Sequence, residues 1–77
     1  MNTLENVIAY QEKVRDTFGI ESNCDVGQSY KELGEKYAYV LDVTEEEKLQ
    51  VNHAVFVDGV VIEFKALNPS IWEEVNI

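Results

Sequence analysis

Cysteine is almost absent from this 77-residue chain: Cys24 stands alone, so no disulfide can close within it. One cysteine and one histidine, His53, cannot complete a zinc site either, which needs at least three protein ligands. Basic residues are scarce, six Lys and Arg against fifteen Asp and Glu, for a net charge of −9. A field of that sign repels DNA, RNA and anionic lipid at close range and attracts basic surfaces. Direct nucleic-acid binding is therefore not expected. No apolar run approaches the roughly 18 residues of a membrane span. No secretion signal is recognised, so the expected compartment is a reducing cytosol, that of the host if a phage encodes the chain.

Catalytic signatures are missing as well. There is no G-x-x-x-x-G-K, G-x-G-x-x-G or G-x-S-x-G, and no calcium loop of the D-x-[DN]-x-[DN]-G kind. Cys24 has Glu21 and Asp25 near it in sequence, and neighbouring anions disfavour the thiolate a nucleophile needs. His53 is expected to point into an apolar sheet face beside Phe64, as a structural residue. No catalytic, metal-binding or cofactor-binding residue is assigned, and the chain is expected not to be an enzyme.

What is present is a foldable pattern. Hydrophobic residues make up 45% of the chain, with four Tyr, three Phe and one Trp, too apolar for intrinsic disorder despite the charge. The length is that of one domain. Leu4, Val7, Ile8, Val14 and Phe18, with Gln11 among them, follow helical spacing, which predicts a helix over 3–18. Asn2 with Glu5 three residues on resembles a capping box, and Gly19 sits where a glycine would end the helix. Residues 19–35 read as loop with a short helical turn in which Ser29 and Glu32 have capping spacing.

From Lys36 the period becomes two, predicting strands over about 36–43, 50–57 and 60–67. Asp58-Gly59 between alternating apolar residues predicts a type I′ hairpin. That register pairs Val57 with Val60, Phe56 with Val61, Val55 with Ile62, Ala54 with Glu63 and His53 with Phe64. It puts Val51, His53, Val55, Val57, Val60, Ile62, Phe64 and Ala66 on one face, taken as the core face beneath the helix. Asn68 and Pro69 open a short helix over 69–75. The expected fold is α+β: α-β-β-β-α, with a three-stranded antiparallel sheet, a long N-terminal helix on one face and a short C-terminal helix.

The second sheet face then holds Phe56 and Val61 with Val40, Ala38 and Ala54, rimmed by Glu63, Lys65 and Asp42. Three readings of it stay open: cover by the C-terminal helix with Trp72 as lid, sheet-to-sheet dimerisation, or a partner surface. Tyr37 and Tyr39 are expected in the core with Leu41 and Val43, whereas Tyr30 is a contact candidate. Residues 21–47 hold eight acids against Lys31 and Lys36, −6 of the −9. Within them, Thr44 and Glu47 have capping-box spacing, so Glu45, Glu46 and Glu47 suit a short helical turn between strands. These three glutamates are expected to join Glu32 and Glu35 in one acidic face. The partner-binding candidates are thus Tyr30, Glu32, Glu35, Asp42, Glu45, Glu46, Glu47, Phe56, Val61 and Glu63.

In size, acidity and layout the chain resembles the small acidic proteins that phages and mobile elements use against host defence, several anti-CRISPR and anti-restriction proteins among them. The likeness carries no residue roles. It implies an inhibitor or modulator, phosphate-mimicking in the DNA-mimic sense, of a basic nucleic-acid-binding protein. The other reading is a homo-oligomeric assembly module pairing through the Phe56/Val61 face.

Overall fold

The computed structural model describes residues 2–21 and 24–76. Helix α1, Leu4–Phe18, starts one residue later than the spacing predicts, with Thr3 and not Asn2 as its cap. The Thr3 N–H donates to Asn6 Oδ1 at 2.8 Å, so Asn6 takes the place expected of Glu5. Gly19 ends the helix in the left-handed region, φ 65°, as its position implied. Helix α2, Val26–Glu32, begins at an Asp25 cap whose carboxylate accepts from the Gln28 N–H at 3.0 Å. Ser29 is therefore interior to α2, and its hydroxyl bonds back to the Val26 carbonyl. Positions 22 and 23 of the loop expected here lie outside the described residues.

Strands β1, Tyr37–Val43, β2, Leu49–Val57, and β3, Val60–Phe64, form an antiparallel sheet in the order β1-β2-β3, followed by helix α3, Pro69–Val75. The fold is α+β, as the pattern predicts. The short dimension of the molecule is 16 Å, one sheet covered by one helical layer. The Thr44–Lys48 connection is a tight turn and not the expected turn of helix. The Thr44 hydroxyl accepts from the Lys48 N–H at 3.1 Å, and Glu47 adopts a left-handed φ of 60°.

The sheet faces are the reverse of those expected. Ala38, Val40, Asp42, Ala54 and Phe56 are buried on the helical side of the sheet, and Val7, Tyr10, Gln11 and Val14 are the buried stripe of α1. Phe56 is 2% exposed and Val61 packs on the core, so the two do not form the exposed apolar pair expected of a partner or dimer face. Tyr30, the expected contact, is also buried, against Phe56, with ring centroids 4.8 Å apart. Tyr37, Tyr39, Val51, Val57 and Ile62, expected inside, are exposed. So is His53, opposite Tyr39.

The polar members of the α1 stripe explain the reversal. Burying Tyr10 and Gln11 is affordable only where their polar atoms find partners. The Ala38–Val40–Asp42 face supplies a carboxylate for Tyr10, and its small alanines admit a close helix. The Val51–His53–Val55 face offers neither. The reversal also requires a break in the β2–β3 register. In the regular hairpin Glu63 would oppose Ala54 inside the core. Instead a β-bulge between Val55 and Phe56 pairs Val55 with Glu63 and Ala54 with Phe64, turning Glu63 outward and Phe64 inward. Phe64 then joins Tyr10 and Trp72 in a cluster of edge-to-face rings, with centroids 5.0–5.6 Å apart. Trp72 does cover part of this face, over Phe64, as one expected reading had it, while α1 and α2 cover the rest, Tyr30 of α2 over Phe56.

Candidate functional site

Asp42, placed by the alternation on an exposed rim, is 0% exposed and collects donors from four parts of the chain. The Tyr10 hydroxyl donates to both of its oxygens at 2.8 and 2.9 Å. The Val43 and Leu67 N–H groups each donate at 2.9 Å, and the Asn68 side chain at 3.0 Å. The Asn52 amide completes the set at 3.4 Å. No cation faces this carboxylate among the described residues. Its two oxygens are held by oriented donors, a structural arrangement.

Burial, with Asp42 beside it, raises the pKa of the Tyr10 phenol well above its ordinary 10.0. The folded chain thus keeps this proton to higher pH than the unfolded chain does. The associated stability is complete below pH 10 and is lost as pH rises beyond it, by about 1.4 kcal/mol per unit. Urea unfolding measured on both sides of that pH should show this slope, and Tyr10→Phe should flatten it. An unchanged slope in Tyr10→Phe would assign the alkaline loss to other groups.

The edge of β1 is closed from within. The Gln11 side chain, 1% exposed, donates to the Leu41 carbonyl at 2.8 Å and accepts from the Leu41 N–H at 2.6 Å. Ser29 accepts from the Tyr39 N–H at 3.0 Å, and the Cys24 thiol reaches the Tyr39 carbonyl at 3.7 Å. On the other side, the Val61 N–H donates to the Asn2 carbonyl at 2.8 Å, and Thr3 bridges to Val60. Addition of a foreign strand is blocked along β1 and at the start of β3.

The outer face remains. Tyr37, Tyr39, Leu49, Val51, Val57 and Ile62 stand 45–62% exposed, and no helix covers them. Glu63 is the carboxylate on this face, opposite Val55. The other expected contact acids lie at its margins. Glu45, Glu46 and Glu47 occupy the β1–β2 turn, whereas Glu35 precedes β1 and Glu32 ends α2. The seven residues of β1 separate these groups by roughly 20 Å at about 3.3 Å per residue. They do not form the single acidic face expected. Two exposed ion pairs form among the described residues, Lys13–Glu74 and Lys48–Glu46, each at 3.8 Å. Most of the marginal carboxylates therefore have no cation beside them.

No group of three His, Cys, Asp or Glu among the described residues is placed to hold a metal ion, and no helix is long and apolar enough to cross a membrane. Comparison with protein-family models, with curated proteins and with solved structures returns no match to this chain.

Proposed function

We propose that this chain is a non-enzymatic binding module that docks through the outer face of its sheet onto a protein with an apolar centre and a basic margin. Nucleic-acid-handling proteins carry such basic surfaces. Occupying one would inhibit or modulate its owner, in the manner of the small acidic inhibitors of phages and mobile elements. The observation that carries this reading is the uncovered outer face, with its large apolar side chains bounded by carboxylates at both ends.

Size argues for a heterologous partner over a second copy. Nine residues of β2 by three strands give a face of about 30 by 14 Å, roughly 400 Å². A stable interface takes about 800 Å² from each side, so the partner must reach past the sheet onto its charged margins. A second copy would bring its own carboxylates there, at a net charge of −9 per chain. A basic partner turns the same contacts into attraction and gains electrostatic steering. The acids act here as two separate steering groups, not as one row of phosphate mimics.

Photocrosslinking in the source cell tests the reading. A photoreactive residue at Tyr39, on the outer face, should capture a protein that mass spectrometry identifies as basic; one at Glu12, on the helical layer, should not. Capture should fall steeply with salt. Capture of only a second copy of this chain would replace the proposal with a homodimer. The triple change Glu45→Gln, Glu46→Gln and Glu47→Gln should leave folding within about 0.5 kcal/mol, because all three are exposed. It should slow association with the identified partner by about tenfold at low salt and leave dissociation nearly unchanged. Unaltered association would reduce these glutamates to solvated turn residues.

A further inference from the structure

At the hairpin end of the outer face lies a groove of about 700 Å³ between the α2–β1 connection and the Asp58-Gly59 turn. Tyr30 and Phe56 form its floor, Tyr37 and Val57 belong to its walls, and Glu35 and Asp58 line it from opposite connections. Its two sides are joined where the Phe56 N–H donates to the Lys36 carbonyl at 2.9 Å. Tyr30 is 9% exposed, and its hydroxyl has no hydrogen-bond partner among the described residues. The ring is buried against Phe56, and the hydroxyl is not among the enclosed polar atoms that lack a partner. Tyr30 lines this groove, so a hydroxyl left open to solvent is available there to an incoming donor.

We infer that this groove receives an arginine side chain of the protein partner. The inference rests on the docking reading above, because Tyr37 and Val57 belong both to the outer face and to the groove. An arginine stem suits aromatic and aliphatic walls, and its planar head stacks on an aromatic ring. Five donors in a fixed fork match two carboxylates and a phenol oxygen, a set that the point charge of lysine serves less well. Lys36 also lines the groove, so with Glu35 and Asp58 the local charge is two acids against one base, −1. That favours a single organic cation. The carboxylates sit on fixed backbone: the Glu35 N–H donates to the Tyr30 carbonyl at 2.8 Å, and Asp58 belongs to the two-residue turn.

Nuclear magnetic resonance titration of the full chain with N-acetyl-arginine amide tests this. Saturable shifts in the millimolar range, the weak affinity of a lone side chain, should centre on residues 30, 35–37 and 56–59. N-acetyl-lysine amide should bind several-fold more weakly, and neutral N-acetyl-citrulline amide should give no saturable shift. The pair Glu35→Gln and Asp58→Asn should weaken arginine binding by roughly fivefold or more, and Lys36→Gln should strengthen it. Both replacements at left-handed positions keep the size of the side chain. Shifts spread equally over the Glu45–Glu47 turn, equal binding of lysine, or indifference to the paired change would overturn the inference. Failure here with outer-face crosslinking intact removes the arginine anchor alone. Groove-centred arginine shifts with no outer-face capture remove the docking reading alone.

Discussion

Asp42→Ala is expected to remove about 4 kcal/mol of stability, enough to leave on the order of one molecule in six unfolded at 25 °C. The substitution deletes the shared acceptor of Tyr10, Val43, Asn52, Leu67 and Asn68. Each donor left unpaired in a buried setting costs about 1–3 kcal/mol, less for those near the surface that can turn to water. A small domain has only about 5 kcal/mol or little more in reserve. Asp42→Asn keeps the volume but replaces one acceptor oxygen with a donor facing other donors, and should cost about 2 kcal/mol. Thermal and urea unfolding followed by circular dichroism measure both. A loss under about 1 kcal/mol in Asp42→Ala would mean that water takes over the carboxylate's role.

Val51→Lys is expected to leave the fold in place and abolish docking. Val51 lies on the middle strand, 62% exposed, opposite Leu41. The change costs at most about 1 kcal/mol in strand preference. In a complex it would place an ammonium group at the centre of an apolar contact and repel a basic partner. Central interface residues carry a disproportionate share of affinity, so a loss of at least about 100-fold is expected, roughly 2.7 kcal/mol. Binding to the protein crosslinked at Tyr39 provides the measurement, with an unchanged melting transition as the control. Affinity within threefold of the unsubstituted chain would move the docking surface elsewhere.

These two positions also mark what was and was not legible in the sequence. Several element ends were, because their signals are local: Gly19 stops α1, Asp58-Gly59 turns the hairpin, and Asn68-Pro69 opens α3, whereas β3, expected to run to residue 67, ends at Phe64 with no such signal. The choice of buried face was not, because alternation shows that two faces exist without ranking them. Counting valines selects the Val51 face. The deciding term was the need of Tyr10 and Gln11 for partners, carried by residues about 30 positions away in Asp42 and Leu41. A buried helical stripe that includes a tyrosine and a glutamine is the signal that could have found it. The bulge had a signal as well, since regular pairing on the correct face would bury Glu63. The acidic candidates were visible by composition, but their separation along β1 only emerges once the strand is laid out at full length.

The Asp42 cluster also bears on the order of folding. Its donors come from residue 10, from residue 52 and from residues 67 and 68, so the cluster joins segments up to 58 positions apart. The helix and the first hairpin can form early from local contacts, but neither can bury that carboxylate alone. The carboxylate is therefore enclosed only when residues 67 and 68 have joined residue 10 and the sheet. Long-range closure of this kind sets the rate of the final step and makes it all-or-none.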